Sequence, residues 1–262
     1  QGKYPLYESG MEYLFWTCCT ICYDPRNTRL AKATAEILNL AGVSWGIPTV
    51  EVNCCGESLR KVGDLELFDR LRDKNLDYFK SVAAAKIITV SPHCLVSFKK
   101  DYGVEGEVLH LSQLVAKLIS EGKITPEKDF GGLKVTYHDP CYLGRHSGVY
   151  DEPRSILKAI PGLDFIEMER NREQSMCCGG GGGGLWMEKA KGERLSDERL
   201  TEAIDAGAAV LATACPYCIA MFEDSIRTLN ADEQIKVRDV TELLLESLGI
   251  NVDEPVIDTC AL

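Results

Sequence analysis

Long apolar runs are missing from this sequence. No stretch approaches the roughly 18 uninterrupted apolar residues of a membrane-spanning helix. The first residues, from Gln1 to Tyr13, show no charged segment followed by an apolar one, as a signal peptide would. We therefore expect a cytoplasmic protein without a membrane span. The chain opens on Gln1 rather than methionine, which indicates a trimmed or fragmentary chain.

Positive charge is also scarce. The chain has 29 lysines and arginines against 40 aspartates and glutamates, a formal net charge of −11. Proteins that hold nucleic acid by its phosphates need a positive surface, so we exclude that class of function. The 262 residues, of which 45% are apolar, suffice for one large domain or two compact halves.

Cysteine, by contrast, is abundant and clustered. Among the twelve cysteines are three adjacent pairs, Cys18–Cys19, Cys54–Cys55 and Cys177–Cys178, and one Cys-x-x-Cys motif, Cys215–Cys218. Clustered thiols in a cytoplasmic chain favour metal ligation over a secreted disulfide framework, a redox dithiol or small buried side chains.

The cysteines repeat along the chain. Position differences of 123, 123, 123 and 124 relate Cys18 to Cys141, Cys54 to Cys177, Cys55 to Cys178 and Cys94 to Cys218. This predicts two halves with one plan, residues 1–125 with an incomplete cysteine set and 126–262 with a complete one.

Each half alternates short β-rich runs with amphipathic helical segments. We predict helices over 30–41 and 65–79, and strands at 13–16, 49–52, 86–90, 134–137, 164–167 and 209–212. Such alternation predicts an α/β fold of two pseudo-symmetric, Rossmann-like lobes with parallel sheets. Cysteines that follow the strands would meet at the carboxyl ends of the sheet, where open α/β folds place their ligands.

The second half offers five thiols for one site: Cys141, Cys177, Cys178, Cys215 and Cys218. A zinc ion or an ordinary cubane cluster needs four. A polynuclear iron centre could use the fifth, and four ligands with one bystander remain an alternative.

A run of six glycines, 179–184, follows Cys178 directly. Glycine lets backbone approach an inorganic core and turn its amides toward thiolate or sulfide, so we predict that Gly179, Gly180 and Gly181 bind the cofactor. A nucleotide phosphate loop is the rival interpretation, but the P-loop lysine and a GxGxxG motif opening a helix are absent.

The order Cys, Cys-Cys-Gly, Cys-x-x-Cys resembles the cysteine-rich CCG domain of the B-type and D-type subunits of heterodisulfide reductase. Relatives of this family include the DsrK-type subunits of sulfate reducers and the iron–sulfur subunits of glycolate and lactate oxidases. The resemblance covers nearly the whole chain, and segments 23–27, 138–145 and 171–184 are especially similar to the D-type subunits.

This resemblance implies a noncubane 4Fe-4S cluster on the five cysteines of the second half. It also implies the catalytic subunit of an oxidoreductase complex that reduces or forms a disulfide-type bond, with Cys178 in the catalytic centre. Two other hypotheses remain open: an electron relay between a flavin dehydrogenase and a quinone pool, and a zinc-binding interaction module.

The first half departs from the family. Ser91 stands where the Cys-x-x-Cys motif should begin, leaving Cys54, Cys55 and Cys94 with Cys19 or Cys18 as the opening ligand. Three outcomes stay open: a second 4Fe-4S cluster on four cysteines, a rebuilt site that recruits Cys18 or Cys22, or an empty site.

Other side chains near the predicted sites have candidate roles. Arg145 and His146, shortly after Cys141, could fix an anionic substrate or deliver a proton, with a solvated loop as the alternative. We expect His138 and His93 to support the sites or the core rather than to be ligands, and Cys260 to be a bystander.

The chain contains no bacterial ferredoxin cysteine run and no haem-binding CxxCH motif. We therefore expect electrons to arrive from a ferredoxin-like 4Fe-4S subunit or domain. Membrane cytochrome or flavoprotein subunits are further expected partners, and they would place the chain peripherally on the cytoplasmic membrane face.

Overall fold

A computed structural model describes residues 4–49, 54–190 and 192–251. They form two compact units, one that ends at Ile124 and one that spans Thr125–Asn251, which we call lobe 1 and lobe 2. Within these residues, no helix combines the length and apolarity needed to cross a bilayer.

The described residues of lobe 1 contain four short strands and six helices, together with a π-helical turn, Ser97–Asp101. In chain order they are β1 (Tyr13–Trp16), α1 (Cys19–Tyr23), α2 (Thr28–Leu40), β2 (Trp45–Gly46), α3 (Glu57–Val62), α4 (Leu65–Ser81), β3 (Lys86–Thr89), α5 (Pro92–Val96), β4 (Glu107–His110) and α6 (Leu111–Ser120).

In the part of lobe 2 that the structure describes there are four strands, four α-helices and two 3₁₀ turns, Arg172–Gln174 and Gly184–Trp186. The elements are β5 (Leu133–Tyr137), α7 (Asp151–Ala159), β6 (Leu163–Ile166), α8 (Leu195–Asp205), β7 (Val210–Thr213), α9 (Pro216–Leu229), β8 (Lys236–Asp239) and α10 (Val240–Ser247).

Both sheets are parallel and share one topology. The strand order is β2-β1-β3-β4 in lobe 1 and β6-β5-β7-β8 in lobe 2. The predicted fold class, two α/β lobes with parallel sheets, is confirmed. In each sheet the second strand in chain order lies on one side of the first strand, and the third strand lies on the other side. The loops that follow the first and third strands border the crevice where such folds bind ligands.

The predicted strands differ from the observed ones in two places. The predicted strand 49–52 is wrong at Thr49, which lies outside any strand, and its other residues lie outside the described ranges; the partner of β1 is instead Trp45–Gly46. The sequence analysis also missed β4 and β8. Both are edge strands with only two of four residues buried, so they lack a continuous apolar run.

The register of the sheets aligns the lobes residue by residue. Phe15 pairs with Ile88, and Tyr137 pairs with Ala212. Because Ile88 and Ala212 each lie six residues before Cys94 and Cys218, Phe15 and Tyr137 are equivalent. The counterpart of Cys141 is therefore Cys19, not Cys18 as the spacing of 123 suggested. The counterpart of Cys18 is Pro140.

Candidate metal centre

All five predicted cysteines of lobe 2 come together. The Sγ atoms of Cys141 and Cys177 are 4.0 Å apart, and Cys218 donates a hydrogen bond of 3.3 Å to Cys178. Hydrogen bonds between Cys177 and Cys178, and between Cys218 and Cys215, complete the set. The thiols thus form one continuous chain of contacts in the order 141, 177, 178, 218, 215.

The fold positions these thiols from three loops. Cys141 follows β5, and the pair Cys177–Cys178 lies in the loop after β6. Cys215 caps the amino end of α9, and Cys218 lies in its first turn. The side chains of residues 178, 215 and 218 are buried, whereas those of Cys141 and Cys177 are half-buried and form an outer edge.

Only the first glycine of the predicted cofactor loop contacts a thiol. Gly179 has a φ of +79°, and its amide donates to the Sγ of Cys177 at 3.3 Å. The carbonyls of Gly180 and Gly181 instead accept hydrogen bonds from Leu185 and Gly184. The loop therefore closes on itself, and the direct roles predicted for Gly180 and Gly181 stay predictions.

His138 lies fully buried beside the thiols. One of its ring nitrogens lies within 4.8 Å of the Sγ atoms of Cys178 and Cys218. Nε of Arg199 donates to Nδ1 of His138 at 3.3 Å, and Nε2 has no hydrogen-bond partner among the described residues. Burial, reinforced by Arg199, lowers the pKa of His138 far below its usual value, so the ring is neutral. Because Nδ1 accepts, the proton is on Nε2, which leaves an unpartnered N–H donor on the ring that lies beside the thiols.

A buried ion-pair network holds the loops that carry Cys141 and Cys177. Arg154 binds Asp139 through two hydrogen bonds of 2.6 and 2.8 Å, and it also binds Glu167 at 2.6 Å. The second oxygen of Asp139 accepts the amide of Arg172 at 2.8 Å. The sequence analysis missed this network, although an aspartate directly after a buried strand and before Pro140 was a possible signal.

Arg145 and His146 lie on the exposed surface of lobe 2. Arg145 donates to the backbone carbonyls of Ser175 at 2.6 Å and Glu173 at 3.3 Å, which ties the loop before Cys177 to the loop after Cys141. The His146 ring stacks on Tyr142 with centroids 4.6 Å apart. Arg145 thus has a positioning contact, and its predicted role toward a substrate stays a prediction.

Lobe 1 gathers thiols in the same way. Cys19 donates to Cys54 at 3.7 Å, and Cys54 is hydrogen-bonded to Cys55. Cys94 is hydrogen-bonded to both Cys55 and Cys18. The predicted lobe 1 residues therefore meet, and both candidate opening cysteines join them; the sulfur of Cys22 lies 3.6 Å from the Thr17 carbonyl oxygen.

Side chains around the lobe 1 thiols hold the Cys54–Cys55 backbone in place. The Tyr102 hydroxyl donates to the Cys55 carbonyl at 2.9 Å, and Asn75 donates to the Cys54 carbonyl at 3.2 Å. Beside them is a buried pair, in which Nδ1 of His93 lies 2.9 Å from a carboxylate oxygen of Glu57. As predicted, His93 supports the core of this lobe.

One thiol in each lobe is activated by its neighbours. Hydrogen bonds from Cys141 and Cys178, with one from the Gly179 amide, lower the pKa of Cys177 far below its usual value. Cys54 has its pKa lowered in the same way by Cys19, Cys55 and the Gly56 amide. The same hydrogen bonds raise the pKa of the partner thiols Cys141 and Cys19. One thiol in each set is therefore favoured in the thiolate form that ligates metal.

The donor set of lobe 2 fits an iron–sulfur cluster. It offers thiolates alone, five in number, with three of them buried, and it adds backbone and histidine N–H groups that suit negatively charged sulfur. A mononuclear tetrahedral site would use four of the five.

Comparison with known proteins agrees with this donor chemistry. The family model of the cysteine-rich domain CCG matches twice, at residues 13–99 and 135–223. The chain is 42% identical over 240 residues to "Probable iron-sulfur-binding oxidoreductase FadF" of Bacillus subtilis, and 39% identical over 247 residues to "EtfAB:quinone oxidoreductase" of Syntrophomonas wolfei. Each alignment covers 90% of this chain and 34% of the relative.

A third relative is the D-type subunit of the dihydromethanophenazine:CoB–CoM heterodisulfide reductase of Methanosarcina barkeri. It is 34% identical over 253 residues, which cover 93% of this chain and 61% of the relative. The chain thus spans about a third of the first two relatives' length and under two thirds of the third's. With two matched copies over most of its length, the chain belongs to the CCG cysteine-rich domain family.

Proposed function

We propose that the chain is the CCG part of an iron–sulfur oxidoreductase, with a noncubane 4Fe-4S cluster held by the five thiols of lobe 2. In this proposal the cluster site reduces or forms a disulfide-type bond, as in the heterodisulfide reductases. The continuous contact chain of five thiols supports it. A cubane has four iron corners to ligate, so a fifth thiolate in contact with the others favours a different core.

The residues of the site have separate roles in this proposal. The buried Cys178, Cys215 and Cys218 anchor the cluster, and the half-buried Cys141 and Cys177 leave an edge that a substrate sulfur can reach. When bound, the cluster supplies electrons one at a time. The exposed His146, which stacks on Tyr142 in the turn that begins at Cys141, is the candidate proton donor for that edge.

Cleavage of a disulfide consumes two electrons and two protons and gives two thiols. The protons come from solvent through exposed groups such as His146. The electrons require a partner, for which we propose a ferredoxin-like 4Fe-4S subunit or domain, with membrane cytochrome or flavoprotein subunits beyond it. A cytoplasmic location, peripheral to the membrane through those partners, follows from this arrangement.

A cavity beside the glycine loop is a candidate for substrate binding. Its volume is about 580 Å³, and its lining includes Trp186, Met221, Arg194 and Arg227. Met221 lies one turn after Cys218 on α9 and packs against Gly180. The lining also includes the acidic Asp224, which pairs with Arg194, so its mixture of apolar and charged side chains suits an organic substrate with polar groups.

An electron relay between a flavin dehydrogenase and a quinone pool is the second candidate function. The 39% identity to the EtfAB:quinone oxidoreductase relative, against 34% for the heterodisulfide reductase relative, favours it. In a relay no substrate sulfur approaches the cluster.

One experiment distinguishes these functions. The protein is purified without oxygen, its iron and acid-labile sulfide are counted, and Mössbauer and EPR spectra are recorded with and without a disulfide or trisulfide substrate. A noncubane spectrum perturbed by the substrate supports the first function. An iron–sulfur spectrum that the substrate leaves unchanged supports the relay, and zinc without iron or sulfide contradicts both.

A further inference from the structure

Lobe 1 has no cysteine at the position that Cys215, the fifth thiol of the set, occupies in lobe 2. Cys215 caps the amino end of α9, directly before Pro216, and Ser91 stands at the same place before Pro92 of α5. By the Cys-x-x-Cys motif alone, lobe 1 would be one ligand short.

A cysteine from a different loop compensates for this loss. The register of the sheets makes Cys18 the counterpart of Pro140, so the extra thiol enters on the loop after β1. The loops after the first and third strands border the same crevice, and a thiol from either loop can therefore reach one site.

The contacts of Cys18 match those of Cys215. Cys94 is hydrogen-bonded to Cys55 and Cys18, just as Cys218 is hydrogen-bonded to Cys178 and Cys215. The lobe 1 thiols therefore form a chain of contacts in the order 19, 54, 55, 94, 18, which repeats the lobe 2 order with Cys18 in the terminal place.

Burial follows the same order in both lobes. Cys18 and Cys94 are each 2% exposed and Cys55 is 4% exposed, against 1%, 2% and 4% for the corresponding Cys215, Cys218 and Cys178. The two remaining thiols of each set are half-buried. Cys18 thus lies at the buried inner end, where a ligand rather than a surface thiol is expected.

We propose that lobe 1 is a second complete five-thiolate site for an iron–sulfur cluster, in which Cys18 replaces the ligand that Ser91 cannot supply. This inference depends on one part of the proposed function, namely that the cysteine sets of this family bind iron. The chain then carries two clusters of the same ligation, with about eight iron and eight sulfide per chain.

The test compares three variants of the whole chain: Cys18→Ala, the matched control Ser91→Ala, and the double variant Cys18→Ala/Ser91→Cys. Each is purified without oxygen, and iron, sulfide and Mössbauer spectra are measured. Circular dichroism compares the fold of each variant with that of the parent.

We expect Ser91→Ala to keep both clusters. Cys18→Ala should lose the lobe 1 component, either as a fall to about half the iron or as conversion to an ordinary cubane spectrum. The double variant, which places the thiol where lobe 2 has it, should restore that component. This rescue separates ligation from a folding defect in Cys18→Ala.

Two results would overturn the inference. One is a parent protein with about four iron per chain, all lost on substitution in lobe 2; the other is an unchanged lobe 1 spectrum in Cys18→Ala. Both leave the proposed function of lobe 2 intact. A parent protein without iron in either lobe would instead contradict the proposed function itself.

Discussion

The two lobes share a sheet topology and an order of thiol contacts, but they differ in where the last thiol originates. Lobe 2 has Pro140 in the loop after its first strand and Cys215 at the start of a helix; lobe 1 has Cys18 and Ser91 at these places. A site at a sheet crevice is thus defined by the loops that meet there, and a ligand can move from one loop to another and keep the same neighbours.

The lobes also differ in the charge near the thiols. Lobe 2 has Asp139 and Arg154 in a buried pair and Arg199 on His138, whereas lobe 1 has Thr17 in the place of Asp139 and a buried Glu57–His93 pair. At the position of His138, lobe 1 has Trp16. The two sites therefore place different charges and N–H donors near their sulfur atoms.

The largest expected effect comes from removing the second cysteine of each Cys-Cys-Gly motif. Cys178→Ala should abolish the lobe 2 iron–sulfur signal and leave that of lobe 1, and Cys55→Ala should do the reverse, because each thiol links the two ends of its set. Mössbauer spectra of both variants check this. If either substitution left both signals, our ligand assignment would be wrong.

The second-largest effect should come from breaking the buried Asp139–Arg154 pair of lobe 2, where lobe 1 has Thr17 in the place of the aspartate. Arg154→Met leaves the carboxylate of Asp139, 2% exposed, without its partner, so the free energy of unfolding of lobe 2 should fall by about 3–5 kcal/mol. In the control Arg72→Met, which removes an exposed pair with Asp69 in lobe 1, the loss should stay below about 1 kcal/mol. Urea unfolding measures both, and equal losses would contradict the organising role of Asp139.

The glycines after the two cysteine pairs should respond unequally to substitution. Gly179→Ala puts alanine at a φ of +79° and should cost about 1–2 kcal/mol, because a new Cβ meets only ordinary contacts with Leu195. Gly56→Ala has the same conformational cost, and its Cβ would also lie 2.8 Å from Phe68, so its loss should be larger by about 1–3 kcal/mol. Thermal unfolding of the two variants tests the order.

The smallest effect is electronic. His138→Phe removes the unpartnered N–H of the ring beside the thiols, so the reduction potential of the lobe 2 cluster should fall, on the order of tens of millivolts, while His138→Gln should retain part of the donor. Redox titration followed by EPR measures this shift. A potential that is the same in both variants and the parent would show that Nε2 does not act on the cluster.

Sequence analysis identified most of the fold because buried strands such as β1 and β7 are continuous apolar runs. It missed β4 and β8 because edge strands are half polar. Position differences could not detect that Cys19 and Cys54 are 35 positions apart whereas Cys141 and Cys177 are 36 apart, so the constant spacing of 123 aligned Cys141 with Cys18. The Asp139–Arg154 pair and the tautomer of His138 depend on tertiary contacts across 15 and 61 residues, which no local pattern records.

The half-buried outer thiols also determine where dioxygen should first oxidise the chain. Cys54 and Cys177 combine partial exposure with a lowered pKa, and oxidation of cysteine follows thiolate character and access. Sulfenic acid should therefore form first at these two residues in protein handled aerobically without its metal, well before the buried Cys18 or Cys215 reacts. Damage from dioxygen would begin at the same place in both lobes.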